Sequence, residues 1–124
     1  GLDDMILIKD NHLAALTGKC RIADAVHRAR LASSGLKIEV EVETLEQAEQ
    51  ATEAGADIVL LDNMTIEELS KAVKLINGRT QIEASGGITL KNIREVAKTG
   101  VNYISVGAIT HSAKTVDISM EIVS

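Results

Sequence analysis

Three glutamates, Glu39, Glu41 and Glu43, occupy alternate positions of the stretch KIEVEVE. In a β-strand alternate side chains lie on the same face, so the three carboxylates would share one face and the apolar residues between them the other. Such a row of like charges is most often a face exposed to water. It would serve chemistry if the face instead lined a cavity that holds a metal ion or a cationic partner. The stretch alone favours exposure to water, and the rest of the chain has to decide.

Polar residues and glycine turns recur at the ends of the other strand-like runs. The positions are Lys9, Glu41, Asp62, Ser85 and Gly107, and the last four are separated by 21, 23 and 22 residues. If the runs are parallel strands of a barrel, their carboxyl ends meet at one rim, where barrel active sites are built. The regular spacing therefore favours the cavity interpretation, in which the three glutamates point inward. They would then need cations nearby, because an unpaired buried carboxylate is costly.

The SGG stretch that begins at Ser85 could bind phosphate, since glycine lets backbone amides approach an oxyanion at a helix N-terminus. It could equally be a plain strand-to-helix turn. A second glycine turn at Gly107 supports the phosphate interpretation, because barrel phosphate sites often use the loops after two successive late strands. The other polar residues also have structural alternatives: Lys9 could be a surface charge, Asp62 could begin a turn, and His111 could orient the loop after Gly107.

Short strand-like and helix-like segments alternate along the chain, and these must position the polar residues. Strands are predicted over 5–9, 37–42, 58–61, 81–84 and 103–106, and helices over about 21–32, 45–54, 66–76 and 90–98. TLEQ at Thr44 and TIEE at Thr65 are typical capping boxes. Gly55 and Gly100 follow two of the helices, where a left-handed C-cap favours glycine.

The fold class predicted from this alternation is α/β, a parallel (βα)5 portion of an open (β/α) barrel that is incomplete. Runs such as MILI and IVLL are apolar throughout, as in strands covered on both faces of a parallel sheet. Residues 54–62 and 99–107 resemble each other at a shift of 45 residues, or two strand–helix units. A complete barrel has eight such units in ~250 residues. The opening GLDDMILI enters a strand almost at once, so we expect a piece of something longer, with open strand edges that make it self-associate.

The composition excludes several classes of protein. A net charge of -5 and a single aromatic residue, Tyr103, argue against a nucleic-acid binder. No apolar run approaches the ~18 residues of a membrane span, and no signal peptide opens the chain. Cys20 is the only cysteine, so an intrachain disulfide is impossible and a reducing, cytoplasmic location is expected. No zinc-site or Ser–His–Asp pattern is present in the sequence.

Five motifs, in order and spacing, resemble the quinolinate phosphoribosyltransferase family: LIKDNH, IEVEVE, LLDNM, EASGGI and YISVGAITHSAKTVDIS. The resemblance implies an enzyme of NAD biosynthesis that makes nicotinate mononucleotide, pyrophosphate and carbon dioxide from quinolinate and phosphoribosyl pyrophosphate with Mg²⁺. It also implies a homodimer or larger homo-oligomer, in which an N-terminal sandwich domain precedes the barrel. Residues 1–124 correspond to the C-terminal part of the barrel domain only, without the sandwich domain and the first barrel strands.

The resemblance also implies roles for single residues. Lys9 would contact anionic groups of both substrates, and Glu41 and Asp62 would hold the ribose hydroxyls and magnesium. The residues implied for the 5′-phosphate are Ser85, Gly86, Gly107 and Ala108, with His111 supporting the loop. The family's ligands for the quinolinate carboxylates lie upstream of KDNH, outside this chain. A non-catalytic barrel fragment that keeps only phosphate and magnesium binding, or a structural role, is therefore the alternative. A different barrel of the same superfamily is disfavoured by the combined motifs.

Overall fold

The computed structural model describes residues 5–9, 20–33 and 35–106, together with the backbone of 114–117. Within these ranges, strands and helices alternate from the first strand to the fifth. The strands are β1 (Met5–Lys9), β2 (Lys37–Val42), β3 (Ile58–Asp62), β4 (Gln81–Ser85), β5 (Tyr103–Ile104) and β6 (Lys114–Asp117). The helices are α1 (Cys20–Ala32), α2 (Leu45–Glu53), α3 (Ile66–Ile76) and α4 (Ile93–Lys98).

All the strands pair in parallel in one sheet, in the order β5-β4-β3-β2-β1-β6. From β1 to β5 the spatial order follows the chain order, with a helix in each connection. A doubly wound sheet would reverse its strand order at a switch point, whereas a barrel keeps the sequential order. The predicted α/β class and the sequential barrel-type arrangement are thus confirmed.

The predicted strand ends need small corrections. β3 and β4 each run one residue further than predicted, to Asp62 and Ser85, because these residues still pair with each other across the sheet. β5 covers two residues rather than four, because it pairs with β4 only at Tyr103 and Ile104. β6 was not predicted at all. Its sequence, KTVD, is short and polar, and it becomes a strand only by pairing with the exposed edge of β1.

The helix ends follow local capping chemistry. Thr65 and Glu68 form the predicted reciprocal capping box of α3, with N···O distances of 3.0 and 3.1 Å. The box predicted at Thr44 is half formed: the Thr44 hydroxyl accepts from Gln47 at 3.1 Å, but the Gln47 side chain accepts from the amide of Glu43 instead of that of Thr44. α1 begins one residue earlier and α2 ends one residue earlier than predicted.

The core lies between the sheet and the helices. Ile38, Val40 and Val42 of β2 are fully buried in it, together with helix residues such as Ala48 and Leu69. Since alternate residues of a strand face opposite ways, the glutamates of β2 lie on the other face of the sheet, away from the helices. Among the described residues, no helix is long and apolar enough to cross a membrane.

Candidate functional site

Four predicted site residues lie together at the carboxyl ends of four neighbouring strands. Lys9 ends β1, Glu41 is next to last in β2, Asp62 ends β3 and Ser85 ends β4. All four side chains are half-buried, as expected for residues at the rim of a sheet. Gly86 follows β4 directly. The other three predicted residues, Gly107, Ala108 and His111, lie outside the described residues.

The three glutamates of KIEVEVE divide between the two interpretations of that stretch. Glu39 is completely buried and Glu41 is half-buried, so both lie on the inner face of the sheet. Glu43 lies one residue past the end of β2 and its side chain is exposed. The prediction that all three point inward is therefore wrong for Glu43, because the strand ends before it.

The expectation that buried carboxylates have cations nearby is also wrong for Glu39. Within the described part of the chain neither carboxyl oxygen has a hydrogen-bond partner. Burial, with added repulsion from Glu83 and Glu41, raises the pKa of Glu39 from 4.5 to about 9. The group therefore keeps its proton at neutral pH and avoids the cost of burying a charge. Glu83 is also buried, 3% exposed, and accepts a hydrogen bond from the Ser105 hydroxyl.

Glu41 lies between groups of both signs. Burial raises its pKa, and the nearby Asp62 carboxylate raises it further, whereas Lys9 lowers it. Two carboxylates that repel each other beside a single lysine favour an additional cation between them. No set of three or more His, Cys, Asp or Glu side chains arranged to hold a metal occurs in the described ranges. Magnesium, however, is usually bound by one or two carboxylates together with water and substrate phosphates, so this oxygen pair fits Mg²⁺.

The ends of β3 and β4 interlock. The Ser85 hydroxyl donates to Asp62 Oδ1 at 3.2 Å, and the backbone amide of Asn63 donates to the Ser85 carbonyl at 2.8 Å. Asn63 and Gly86 both have positive φ, 58° and 79°. A Cβ added to Gly86 would lie 2.9 Å from Asn63 N and from Asp62 Oδ1, so only glycine fits here. Asp62 and the SGG turn (residues 85–87) are thereby held as one unit.

The SGG turn is separated from the helix that follows it. α4 begins at Ile93, three residues later than predicted, and is six residues long. Asn92 instead closes the intervening loop: its side chain accepts from the amide of Thr89 at 2.8 Å and donates to the carbonyl of Gly87 at 3.0 Å. The expected combination of a glycine turn with a helix N-terminus is therefore wrong, because the loop holds the helix away from the turn. Any oxyanion at the turn would be bound by the turn's own groups.

A cleft of about 760 Å³ lies at the opposite, amino-terminal end of the strands. Its lining includes Asp57, Thr80 and Asn102, which each precede a strand. Asp57 accepts from the Ile38 amide at 2.7 Å, Asn102 accepts from the Ile82 amide at 2.8 Å, and Thr80 donates to the carbonyls of residues 56 and 57. These side chains fasten each strand start to its neighbour. The chemistry is carried by the opposite rim rather than by this cleft.

Residues that the sequence prediction missed contribute to the rim. Glu83 lies two residues before Ser85 in β4, so the strand period places both on the inner face and would have identified it. Asn63 had been considered only as a turn residue, and its left-handed backbone is not visible from sequence. Asn92 carried no signal beyond its polar type.

Comparison with known proteins reveals clear relatives. The chain matches the family described as quinolinate phosphoribosyl transferase, C-terminal domain, over residues 1–121. It is 46% identical over 123 residues to the probable nicotinate-nucleotide pyrophosphorylase (carboxylating) of Bacillus subtilis, a match that covers 98% of this chain and 42% of that protein. A similar protein of Methanocaldococcus jannaschii is 47% identical over 130 residues and is covered to 44%.

Solved structures give the same result. The nicotinate-nucleotide pyrophosphorylase from Francisella tularensis is similar with a TM-score of 0.75 and 45% identity, over 87% of this chain and 38% of that one. The chain therefore spans about two fifths of the length of the relatives that it matches.

Proposed function

Because the chain belongs to the quinolinate phosphoribosyltransferase family, of which it matches the C-terminal domain, we propose that it carries the phosphoribosyl-binding part of such an enzyme. The intact enzyme would form nicotinate mononucleotide, pyrophosphate and carbon dioxide from quinolinate and phosphoribosyl pyrophosphate. One observation carries the proposal: Lys9, Glu41, Asp62 and Ser85 lie at the carboxyl ends of four adjacent parallel strands.

The charges of these side chains suit the displacement of pyrophosphate from a ribose. As the bond to pyrophosphate breaks, positive charge develops on the sugar ring and negative charge on the leaving group. Glu41 and Asp62 would accept hydrogen bonds from the ribose hydroxyls and stabilise the positive charge, while Lys9 would stabilise the negative charge. Magnesium held by Glu41 and Asp62 would neutralise part of the charge on the pyrophosphate. No covalent nucleophile is needed for this displacement.

The SGG turn is the proposed site for the 5′-phosphate. Ser85 offers a hydroxyl, and Gly86 exposes a backbone without a side chain. The hydrogen bond between Ser85 and Asp62 would couple the phosphate end of the substrate to its ribose. The roles of Gly107, Ala108 and His111 in the same phosphate site remain predictions from the sequence.

The second candidate function is a fragment that binds phosphate and magnesium without turnover, or one that has only a structural role. It is favoured by the length of the match, 42% and 44% of two relatives. The family's ligands for the quinolinate carboxylates are expected upstream of KDNH. We propose that the intact enzyme is a homodimer or larger homo-oligomer and that it works in a reducing compartment such as the cytoplasm.

Asp62→Ala in the intact enzyme tests the proposed mechanism. Loss of a group that stabilises the transition state should lower turnover at least ~100-fold. Asp24→Ala is the control, because Asp24 is exposed on α1 and pairs only with Arg28 one helical turn away. Turnover of the Asp62 variant close to that of the control would remove Asp62 from the mechanism.

A further inference from the structure

Asn63 combines an unusual backbone with an unused side chain at the rim. Its φ of 58° is left-handed, a conformation that asparagine adopts more easily than most residues. This backbone directs its amide to the Ser85 carbonyl at 2.8 Å. Its side chain is exposed, and within the described ranges its terminal amide forms no hydrogen bond. The backbone of Asn63 thus has a structural role, while its side chain has none.

The side chain of Asn63 extends over the SGG turn. Its Oδ1 atom lies 3.5 Å from the point where a Cβ of Gly87 would stand, so the terminal amide lies against the glycine surface. Gly87, like Gly86, has a positive φ, 69°, and presents bare backbone on this side. A ligand that approaches the turn through the gap left by the glycines would meet the amide of Asn63 within hydrogen-bond reach.

We propose that Asn63 is a ligand-binding residue of this site, whose side-chain amide donates to the phosphoryl group bound at the SGG turn. The inference rests on the proposed function, to which it adds a residue. A neutral donor suits this position because Asp62 and Glu41 already place negative charge beside it. A second aspartate at 63 would repel the phosphate, whereas the asparagine amide supplies a donor without adding charge.

Two substitutions separate the amide of Asn63 from its backbone. Asn63→Gly keeps the ability to adopt positive φ but removes the amide. Asn63→Asp keeps the shape and also tolerates positive φ, but replaces the donor with a negatively charged oxygen. Asn77→Gly is the matched control, because Asn77 is also left-handed, with φ of 49°, but caps the end of α3, away from the rim.

The experiment is a titration of the whole chain with inorganic phosphate, without metal, followed through the backbone amide resonances of Gly86 and Gly87. The parent and Asn77→Gly should show the same saturable shifts. Asn63→Gly should weaken phosphate binding roughly tenfold, the effect of losing one hydrogen bond to a charged group. Asn63→Asp should weaken it further. Unshifted glycine resonances in the parent, or equal affinities in all four proteins, would overturn the role of Asn63.

A parallel titration with phosphoribosyl pyrophosphate and magnesium separates this inference from the proposed function. If the parent ignores that substrate while the phosphate response still depends on Asn63, the proposed function fails and the role of Asn63 stands. If the parent binds the substrate and Asn63→Gly binds both ligands equally well, the proposed function stands and the role of Asn63 is overturned.

Discussion

Glu39 should make the stability of this protein fall as the pH rises, and Glu39→Gln should remove most of that fall. The folded protein holds the Glu39 proton up to a pKa of about 9, while an unfolded glutamate releases it near 4.5. Below pH 4.5 both states are protonated, so the group has no effect on the free energy of unfolding. Between these values only the unfolded state loses the proton, and the free energy of unfolding decreases with pH.

The size of the effect follows from the distance between the two pKa values. Each pH unit above 4.5 should lower the free energy of unfolding by about 1.4 kcal/mol, or roughly 3 kcal/mol in all at pH 7. Glutamine has the same shape and no charge to lose. It could also donate a hydrogen bond to Glu83, which lies buried beside it. The variant should therefore gain on the parent steadily as the pH rises.

Urea unfolding at pH 5, 6, 7 and 8, in buffer without metal ions, measures this difference. Glu43→Gln is the matched control, because Glu43 belongs to the same row of glutamates but is exposed. A constant offset between Glu39→Gln and the parent would reflect only the packing of the new amide. The reasoning is refuted if the two stability curves run parallel between pH 5 and 8, since Glu39 would then be ionised in the folded state.

Three further predictions concern other parts of the fold. Gly86→Ala should destabilise the protein by about 1–3 kcal/mol more than Gly78→Ala in urea unfolding, because both positions have positive φ but only Gly86 lacks room for a Cβ; equal losses would contradict the close contact with Asn63. Asp57→Ala should cost about 1–3 kcal/mol, because it leaves the Ile38 amide and Arg30 without their carboxylate, whereas Asp24→Ala should change stability by less than about 0.5 kcal/mol; similar thermal midpoints for the two variants would argue against the fastening of the strand starts. The isolated chain should self-associate through the open edges of β5 and β6, and a stable monomer in light scattering would refute this expectation.

The sequence predicted the rim well because strand period and strand order are simple constraints. Once β1 to β4 are parallel neighbours, their carboxyl ends must meet, so Lys9, Asp62 and Ser85 could be brought together from spacing alone. The same period put Glu39 and Glu41 on one face. It failed for Glu43 because strand ends depend on local pairing, and β2 stops at Val42.

The remaining features depend on tertiary contacts that no local pattern encodes. β6 is a polar four-residue segment that becomes a strand only beside β1. The left-handed backbone of Asn63 follows from its contact with the end of β4, 22 residues away along the chain. The protonated state of Glu39 depends on Glu83, which is buried beside it from another strand. Each of these requires knowing which segments meet.

The central claim is that the rim formed by Lys9, Glu41, Asp62 and Ser85 binds phosphoribosyl pyrophosphate with magnesium. Calorimetric titration of this chain with that substrate and Mg²⁺ tests it most directly, with Lys9→Ala for comparison. The account predicts saturable binding by the parent and its loss in the variant, because Lys9 is the cation that the rim offers to the substrate. Equal binding by both proteins, or none by the parent, would contradict the claim that this rim is a preformed phosphoribosyl site.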